Sequence, residues 1–383
     1  MTRIMSLPRA VWVFLLVPAA AGPLSAAVWL DPNWALVGEL RPSIAYDSNI
    51  TARQDNISDT YETITPKLTL SRRGSATRLE LEGMVEQTWF NDHHEFNSTD
   101  PRFNLLYAYP NIDGTDPTTQ VDLNWYRNSE ANTDLGRRIR SENLHGRWNQ
   151  RVFNTGRTTG DIQIEGHNTD FLENDLNTNN AFSVDGRIGY AIAPQVRAGI
   201  GYGHDWTRSL GVLGRPDTSG NEDRITVRAN GELFPKLRGT VETGVAFVRY
   251  RGAVNQSDTA WIAAVDLTWD ASPSSVVSVR ASRYTDFSPD GQTALRSEVM
   301  LNLTQNLAGG FALRLGGGGY RVRTSFDNLD HHADAVTALV GLSYQLTERF
   351  SAELTERWTR QQADRDTLDY ERHLATAAVA FLF

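Results

Sequence analysis

The sequence predicts an all-β protein, a transmembrane antiparallel up-and-down β-barrel of about 18 strands. Strand-like segments recur about every 20 residues along the chain. The connections between them alternate between short and long, as they do in a barrel whose strands run up and down. Apolar and polar residues alternate within the segments. As a result, no stretch after the first 27 residues reaches the run of about 20 apolar residues that a membrane helix needs. Together these observations favour a membrane protein that crosses with strands.

The N-terminus predicts a cleaved secretory signal peptide over residues 1–27, with the barrel over residues 28–383. Arg3 and Arg9 flank a short polar start, and a mainly apolar run and a stretch of small residues follow. A membrane anchor is the alternative, but the apolar run is short for a bilayer and is interrupted by proline. The mature chain is therefore expected outside the cytoplasm.

Eighteen segments have the length and alternation of strands. An even number of strands returns the chain to the side on which it began, so both termini are expected at one end of the barrel. The predicted strands are 34–47, 60–72, 77–90, 101–109, 118–128, 140–151, 158–167, 181–193, 195–207, 223–234, 236–249, 259–269, 274–285, 294–304, 311–323, 334–345, 350–360 and 370–383.

The connections after even-numbered strands are mostly tight, and those after odd-numbered strands are longer and polar. Examples of long connections are 48–60, 128–140 and 325–334. Bacterial outer-membrane barrels have short periplasmic turns, long extracellular loops and both termini on the periplasmic side. Two connections, 110–116 and 153–160, are longer than such turns usually are, so either could hide a miscounted strand. The pattern predicts the outer membrane of a Gram-negative bacterium as the location.

The alternation also predicts which side chains face the barrel interior. In the third strand Leu79 and Leu81 point one way, while Glu80 and Glu82 point the other. A strand packed on a soluble core would alternate in the same way, but a long series of such strands favours a closed barrel.

The interior is the expected functional site, and its predicted lining mixes both signs of charge. Rings of charge in a water-filled channel bias which solutes pass. Alternatively, neighbouring opposite charges pair across strands and only stiffen the wall. The predicted pore-lining residues are Arg147, Arg187, Arg197, Arg228, Arg280, Arg314, Arg357, Glu82, Asp122, Asp161, Glu165, Glu242, Asp266 and Glu353.

Other kinds of site have little support in the sequence. The chain has no cysteine, which excludes disulfides and thiolate ligands, and its net charge of −9 argues against a nucleic-acid partner. No nucleophile motif suggests an enzyme. The pairs His93-His94 and His331-His332 fall short of the three or four convergent ligands of a zinc site. We therefore expect no cofactor and no metal.

The last strand carries a predicted assembly signal. Val379, Phe381 and Phe383 share one apolar face and end on a C-terminal aromatic residue. This ending resembles the signal by which the bacterial β-barrel assembly machinery accepts its clients. The resemblance implies that machinery, and then outer-membrane lipid, as partners.

The segment Tyr46-Asp47-Ser48-Asn49-Ile50, and the later segment 64–70, resemble the family named putative β-barrel porin 2. The final aromatic strand and the chain length fit that family too. Members are often associated with exopolysaccharide export, which implies a polysaccharide as the transported ligand and a periplasmic polysaccharide export protein as a partner. The mixed charge of the lining departs from the strongly cationic passage expected for alginate-type export.

Three functions follow from this reading. The first is an outer-membrane channel for export of an exopolysaccharide. The second is a general diffusion porin for small solutes, which predicts an inward-folded constricting loop. The third is a non-conducting barrel that presents its extracellular loops.

Overall fold

A computed structural model describes most of residues 28–383. The described residues are 28–74, 76–110, 118–133, 135–173, 175–211, 217–251, 256–287, 293–326, 329–364 and 368–383. The predicted signal peptide lies outside them, as does most of the predicted connection 110–116.

The described residues are almost entirely strand. Two single-turn 3-10 helices occur, and neither is long and apolar enough to cross a membrane. The strands are β1 (Val28–Asp31), β2 (Trp34–Asp47), β3 (Asp59–Arg73), β4 (Arg78–Phe90), β5 (Ser98–Tyr109), β6 (Thr119–Asn132), β7 (Arg137–Asn154), β8 (Thr158–Phe171), β9 (Thr178–Ala193), β10 (Val196–Leu210), β11 (Thr218–Phe234), β12 (Leu237–Arg251), β13 (Gln256–Ser272), β14 (Ser275–Phe287), β15 (Thr293–Asn306), β16 (Phe311–Phe326), β17 (Leu329–Thr347), β18 (Phe350–Ala363) and β19 (Tyr370–Leu382).

Strands β2 to β19 form a closed antiparallel barrel of 18 strands, which confirms the predicted fold. Each strand pairs with the next, and β19 pairs with β2, for example Ala377 with Ile44. The short strand β1 adds to β2 where Val28 pairs with Leu36. Closure leaves no open edge among the barrel strands, which is what a bilayer requires of strands that cross it.

The barrel has two distinct ends. We call the end at which β2 begins and β19 ends the terminal end, and the opposite end the loop end. At the terminal end, Phe383 and Gly38 exchange two backbone hydrogen bonds of 2.8 Å. A Cβ on Gly38 would lie 2.6 Å from Cζ of Phe383, so glycine makes room for the last ring. The C-terminal aromatic residue thus closes the seam between the first and last barrel strands.

The three residues of the predicted assembly signal lie on β19 near this seam. The Phe381 ring lies 6.4 Å from that of Phe350 and 6.1 Å from that of Phe383, and Val379 pairs with Ala352. Their recognition by the assembly machinery stays a prediction.

The strand limits match the prediction well at the terminal end and less well at the loop end. The predicted loop 128–140 is wrong, because β6 and β7 leave only residues 133–136 between them. The predicted loop 325–334 is also mostly strand, since β17 begins at Leu329. Strands that extend beyond a membrane face water on both sides, so they need no apolar alternation and look like loops. The suspect connection 153–160 is a short turn.

The two faces of the wall differ in chemistry. Large apolar side chains such as Ile188, Ile200 and Val227 are exposed on one face. The other face is polar, and a hydrogen bond on it joins Thr285 of β14 to Glu222 of β11, three strands away. Side chains can approach over such a span only across the concave side of a barrel. The polar face is therefore the inner face.

Candidate functional site

The inner face is hollowed along the middle of β10. At the inward positions Gly199, Gly201 and Gly203 this strand has no side chain. A Cβ on Gly201 would lie 2.8 Å from Oγ1 of Thr226 and 3.3 Å from Cγ of Arg187. Glycine in a strand often marks such a close approach. The side chains of β9 and β11 therefore fold over β10 and line two cavities of the wall.

The first cavity, which we call the basic cavity, lies toward the terminal end. It has a volume of about 520 Å³, and its charged lining is Arg151, Arg187, Arg197, Arg228 and Asp161. Arg151 forms an ion pair of 2.9 Å with Asp161. The remaining arginines depend mainly on neutral partners. Arg187 donates to Oε1 of Gln163 at 3.3 Å, and Arg197 donates to Oγ1 of Thr159 at 3.3 Å.

Arg228 differs from Arg187 and Arg197 because it also has a charged partner. It donates to Oγ1 of Thr240 at 3.3 Å and lies 3.9 Å from a carboxylate oxygen of Glu242. Among the described residues, no carboxylate lies within ion-pair distance of Arg187 or Arg197. The basic cavity therefore presents positive charge that the wall does not neutralise.

The second cavity, which we call the acidic cavity, lies on the same strands toward the loop end. It has a volume of about 430 Å³ and contains Arg224 among several carboxylates. The Arg224 guanidinium lies 2.7 Å from Asp205, 3.0 Å from Asp185 and 4.0 Å from Glu222. All three carboxylate side chains are less than one-fifth exposed. One half-buried arginine therefore joins β9, β10 and β11 through their carboxylates.

The other predicted pore-lining residues are mostly paired with neighbours. The ion pairs are Arg147–Glu165 at 2.9 Å, Arg280–Asp266 at 3.3 Å and Arg314–Glu353 at 2.9 Å. Glu353 also binds Arg41 at 2.8 Å. Glu82 lies 3.9 Å from Lys67 and accepts a hydrogen bond from Asn104, and Asp122 accepts one from Gln120 at 2.9 Å. For the arginine–carboxylate pairs and for Glu82 with Lys67, the structure agrees with the alternative that opposite charges pair across strands, whereas the partner of Asp122 is a neutral amide on its own strand.

Arg357 differs from this pattern. Its side chain is exposed, and the described part of the chain offers it no ion pair and no side-chain hydrogen bond. Together with Arg187 and Arg197, it forms a small set of cations without a carboxylate partner. Which of the predicted residues contact a solute stays a proposal.

At the loop end, residues 48–58 between β2 and β3 fold into a compact segment. Asn49, Ile50 and Ala52 are fully buried. The Asn49 amide nitrogen donates to the backbone oxygen of Arg53 at 2.7 Å and to Oδ1 of Asn56 at 2.8 Å. The buried Asp47, at the end of β2, anchors the segment to β19 because Arg372 donates to both of its oxygens.

The segment is tied to distant parts of the mouth, and we call the resulting assembly the mouth cap. Its members are the β2–β3 segment 48–58, the described residues 133, 135 and 136 of the β6–β7 turn, and Leu368 before β19. Arg138 of β7 donates to the backbone oxygen of Ile50 at 3.4 Å. Buried Gln361 of β18 donates to the backbone oxygens of Thr133 at 3.2 Å and Leu368 at 3.0 Å. These bonds bridge the mouth between β7 and β18.

Sequence reasoning gave no role to Arg138 or Gln361. Their partners are backbone oxygens of remote segments, and a residue's own neighbourhood in the sequence carries no sign of such a contact. The segment around Asp47 and Asn49 did carry a signal, because it bears the family resemblance, and the structure shows that both side chains are buried structural anchors.

One ionisable group outside the strands has a shifted pKa. The Arg208 guanidinium, 2.9 Å from Asp217, and the Gly211 backbone N–H hold the pKa of that carboxyl below its usual range. This exposed pair joins the end of β10 to Asp217, the residue before β11, at the loop end. Within the described ranges, no three histidine or carboxylate side chains come together as a metal site would need.

Comparisons with known proteins place the chain in a family. The siderophore receptor PirA from Pseudomonas aeruginosa is 12% identical over 90% of this chain and 80% of that chain, with a TM-score of 0.44. The P. aeruginosa proteins opdK and OpdL are 8% and 9% identical, each over 91% of this chain and 98% of theirs, with TM-scores of 0.44 and 0.47. No curated protein matches the chain. The family model Putative beta-barrel porin 2 matches residues 33–383, so the chain belongs to that family.

Proposed function

We propose that this porin-like barrel is an outer-membrane channel through which an exopolysaccharide leaves the cell. The observation that carries the proposal is the inner wall of β6–β12, which is polar along its length and hollowed by the basic and acidic cavities. A barrel of 16 to 18 strands is wide enough to leave an aqueous channel. Such a wall suits a hydrated, hydroxyl-rich solute.

The pairing of most charges on the inner wall supports a sliding polymer as the solute, rather than a tightly bound small ligand. Most inward carboxylates are occupied by arginine or lysine, as in Arg147–Glu165 and Arg314–Glu353. A largely neutralised wall of amides, hydroxyls and paired ions offers many weak contacts along its length and few strong ones. A chain that makes such contacts can move without being held at one place.

The terminal end is the expected entry side. In outer-membrane barrels this end faces the periplasm. A polymer leaving the cell would therefore meet the basic cavity before the acidic cavity. A periplasmic export protein would deliver it there, and this partner is part of the proposal.

A general diffusion porin for small solutes is the second candidate. The mouth cap favours it, because the segment 48–58 folds against the β6–β7 turn and narrows the loop end. A narrowed mouth selects solutes by size. In the export hypothesis the same cap would have to move aside when a polymer passes.

Single-channel recording in planar bilayers tests the proposal. The mature chain is refolded, and dextran oligomers of increasing length are added at the terminal end. Export predicts blockades of the current whose duration rises with oligomer length, because longer chains make more contacts along the wall. Maltose and other short sugars are the matched comparison.

The outcomes separate the candidates. Brief blocks by short sugars only, with long oligomers excluded, would contradict export and support the diffusion porin. A folded barrel that carries no current in any condition would contradict both. Folding is verified independently by the shift in gel mobility between unheated and boiled protein.

A further inference from the structure

The basic cavity has a regular arrangement of charge along β10. Arg197 projects from β10 itself, Arg228 of β11 pairs with Gly199, and Arg187 of β9 pairs with Gly201. Positions 197, 199 and 201 are successive inward positions, about 7 Å apart along the strand. The backbone positions of the three arginines therefore form a ladder along β10.

The glycines permit this arrangement. A Cβ on Gly199 would lie 2.5 Å from the backbone oxygen of Ile188, and one on Gly201 would press on Arg187 and Thr226. Without a side chain on β10 at Gly201, the stem of Arg187 and the hydroxyl of Thr226 approach this strand closely. The guanidinium groups of Arg187 and Arg197 turn to Gln163 and Thr159 of β8. The guanidinium of Arg228 turns the other way, to Thr240 of β12.

Two arginines of the ladder, Arg187 and Arg197, lack a carboxylate partner among the described residues, whereas Arg228 lies 3.9 Å from Glu242. Arg187 and Arg197 bond only to Gln163 and Thr159 among the described side chains, and the single carboxylate of the cavity, Asp161, is paired with Arg151. A guanidinium is always charged, and its planar fork matches a carboxylate well. A ligand with a carboxylate would therefore supply the negative charge that the wall does not place beside Arg187 and Arg197.

The rest of the lining suits hydroxyl groups. Gln120, Gln150, Thr226, Asn230 and Thr240 surround the arginines in the same cavity. Amide and hydroxyl side chains both donate and accept hydrogen bonds, as the hydroxyls of a sugar ring do. The volume of about 520 Å³ lies within the usual range of small-molecule sites, about 300–1,000 Å³.

We propose that the basic cavity binds an acidic sugar unit, with its carboxylate at Arg187 or Arg197 and its hydroxyls on the neighbouring amides and hydroxyls. This inference rests on the proposed function and deepens it, because it assigns an acidic saccharide as the solute.

The test measures binding separately from conduction. Isothermal titration of the refolded mature barrel in detergent at low salt uses three probes, namely glucuronate, glucose and acetate. The variant is the double substitution Arg187→Gln, Arg197→Gln, which keeps hydrogen-bonding groups but removes both charges. The control is Arg349→Gln, which removes one cation from the β17–β18 turn at the same end of the barrel.

We expect the wild-type barrel to bind glucuronate at least tenfold more tightly than glucose or acetate. The double variant should lose at least tenfold in affinity for glucuronate, while the control retains the wild-type affinity. Equal binding of glucuronate and glucose, equal binding of glucuronate and acetate, or an unaffected double variant would each overturn the inference, and so would an absence of binding by all probes. Glucuronate binding by a barrel that carries no current would instead contradict the proposed channel and leave the site standing.

Discussion

The basic and acidic cavities share strands β8–β12 and differ in how their charge is satisfied. In the acidic cavity Arg224 lies within 4.0 Å of three carboxylates. In the basic cavity Arg187 and Arg197 are bound by neutral oxygens. Both cavities depend on inward glycines of β10, since a Cβ on Gly203 would lie 3.0 Å from the Arg224 guanidinium.

This difference indicates which charges stabilise the barrel and which are available to bind a solute. A charge that is largely shielded from water and has its partners in the wall contributes to stability and is costly to remove. A charge held by neutral groups contributes little to stability and remains able to bind. The sign of a pore-lining residue alone therefore does not reveal its role, whereas its partners and its exposure together do.

The largest expected effect is on stability, from loss of Arg224. Arg224→Ala leaves three half-buried or buried carboxylates without their cation and should lower the free energy of unfolding by about 3 kcal/mol. Arg197→Ala is the matched change in the basic cavity and should cost less than about 1 kcal/mol. Urea unfolding of both variants in lipid vesicles, followed by tryptophan fluorescence, measures the difference.

Equal stability losses in the two variants would contradict the claim that Arg224 is structural and Arg197 is not. Partial recovery of stability when Asp205→Asn is added to Arg224→Ala would support that claim, because Asp205→Asn removes one of the uncompensated charges.

The next effect concerns the glycine that opens the acidic cavity. Gly203→Ala places a methyl group against the Asp185–Arg224 pair and should destabilise the barrel by about 1–3 kcal/mol. Gly186→Ala is the control, because a Cβ there meets nothing within 4 Å. It should be neutral or slightly stabilising. The same urea titrations report both, and a harmless Gly203→Ala would show that the pair can shift at no cost.

A smaller effect is expected at the mouth cap. Gln361→Ala removes the hydrogen bonds to Thr133 and Leu368, each worth about 1 kcal/mol, so open-state occupancy should rise roughly thirtyfold. Gln362→Ala changes the adjacent glutamine, which is exposed on the other face of β18, and should resemble the wild type. Single-channel recordings compare the two. Identical traces would mean that the cap does not control the mouth.

The smallest effect is expected for an exposed pair. Arg280 and Asp266 are 3.3 Å apart, but their side chains are 72% and 59% exposed. Exposed pairs contribute about 0–1 kcal/mol, so Arg280→Ala should change the unfolding free energy by less than about 0.5 kcal/mol. A loss similar to that of Arg224→Ala would contradict the rule that burial decides which wall charges are structural.

Much of the barrel could be predicted from the sequence, because strand alternation and turn residues are local signals. The limits of β2, Trp34–Asp47, are those predicted. The extension of β17 back to Leu329 could not be predicted, since the residues Asp330 to Asp334 lack the apolar alternation of a membrane strand. Local pattern therefore identifies the strands but not how far they extend into water.

The candidate site was predictable in outline only. Alternation places Arg147 and Glu165 on one face, but their pairing depends on the register between β7 and β8. The bond between Arg41 and Glu353 joins residues 312 positions apart and crosses the barrel seam. Such partners are set by closure of the whole sheet, so no local reading separates paired from unpaired arginines.

The central claim is that the inner wall along β10 is the path of the solute, and cysteine modification tests it most directly. The chain has no native cysteine, so a single introduced thiol is the only target. Arg197→Cys places it on the inner wall, and Ile200→Cys places it on the exposed apolar face of the same strand. A charged thiol reagent is added at the terminal end during single-channel recording. The account predicts a stepwise fall in current for Arg197→Cys and no change for Ile200→Cys, whereas an open channel whose current is unaffected at Arg197→Cys would contradict it.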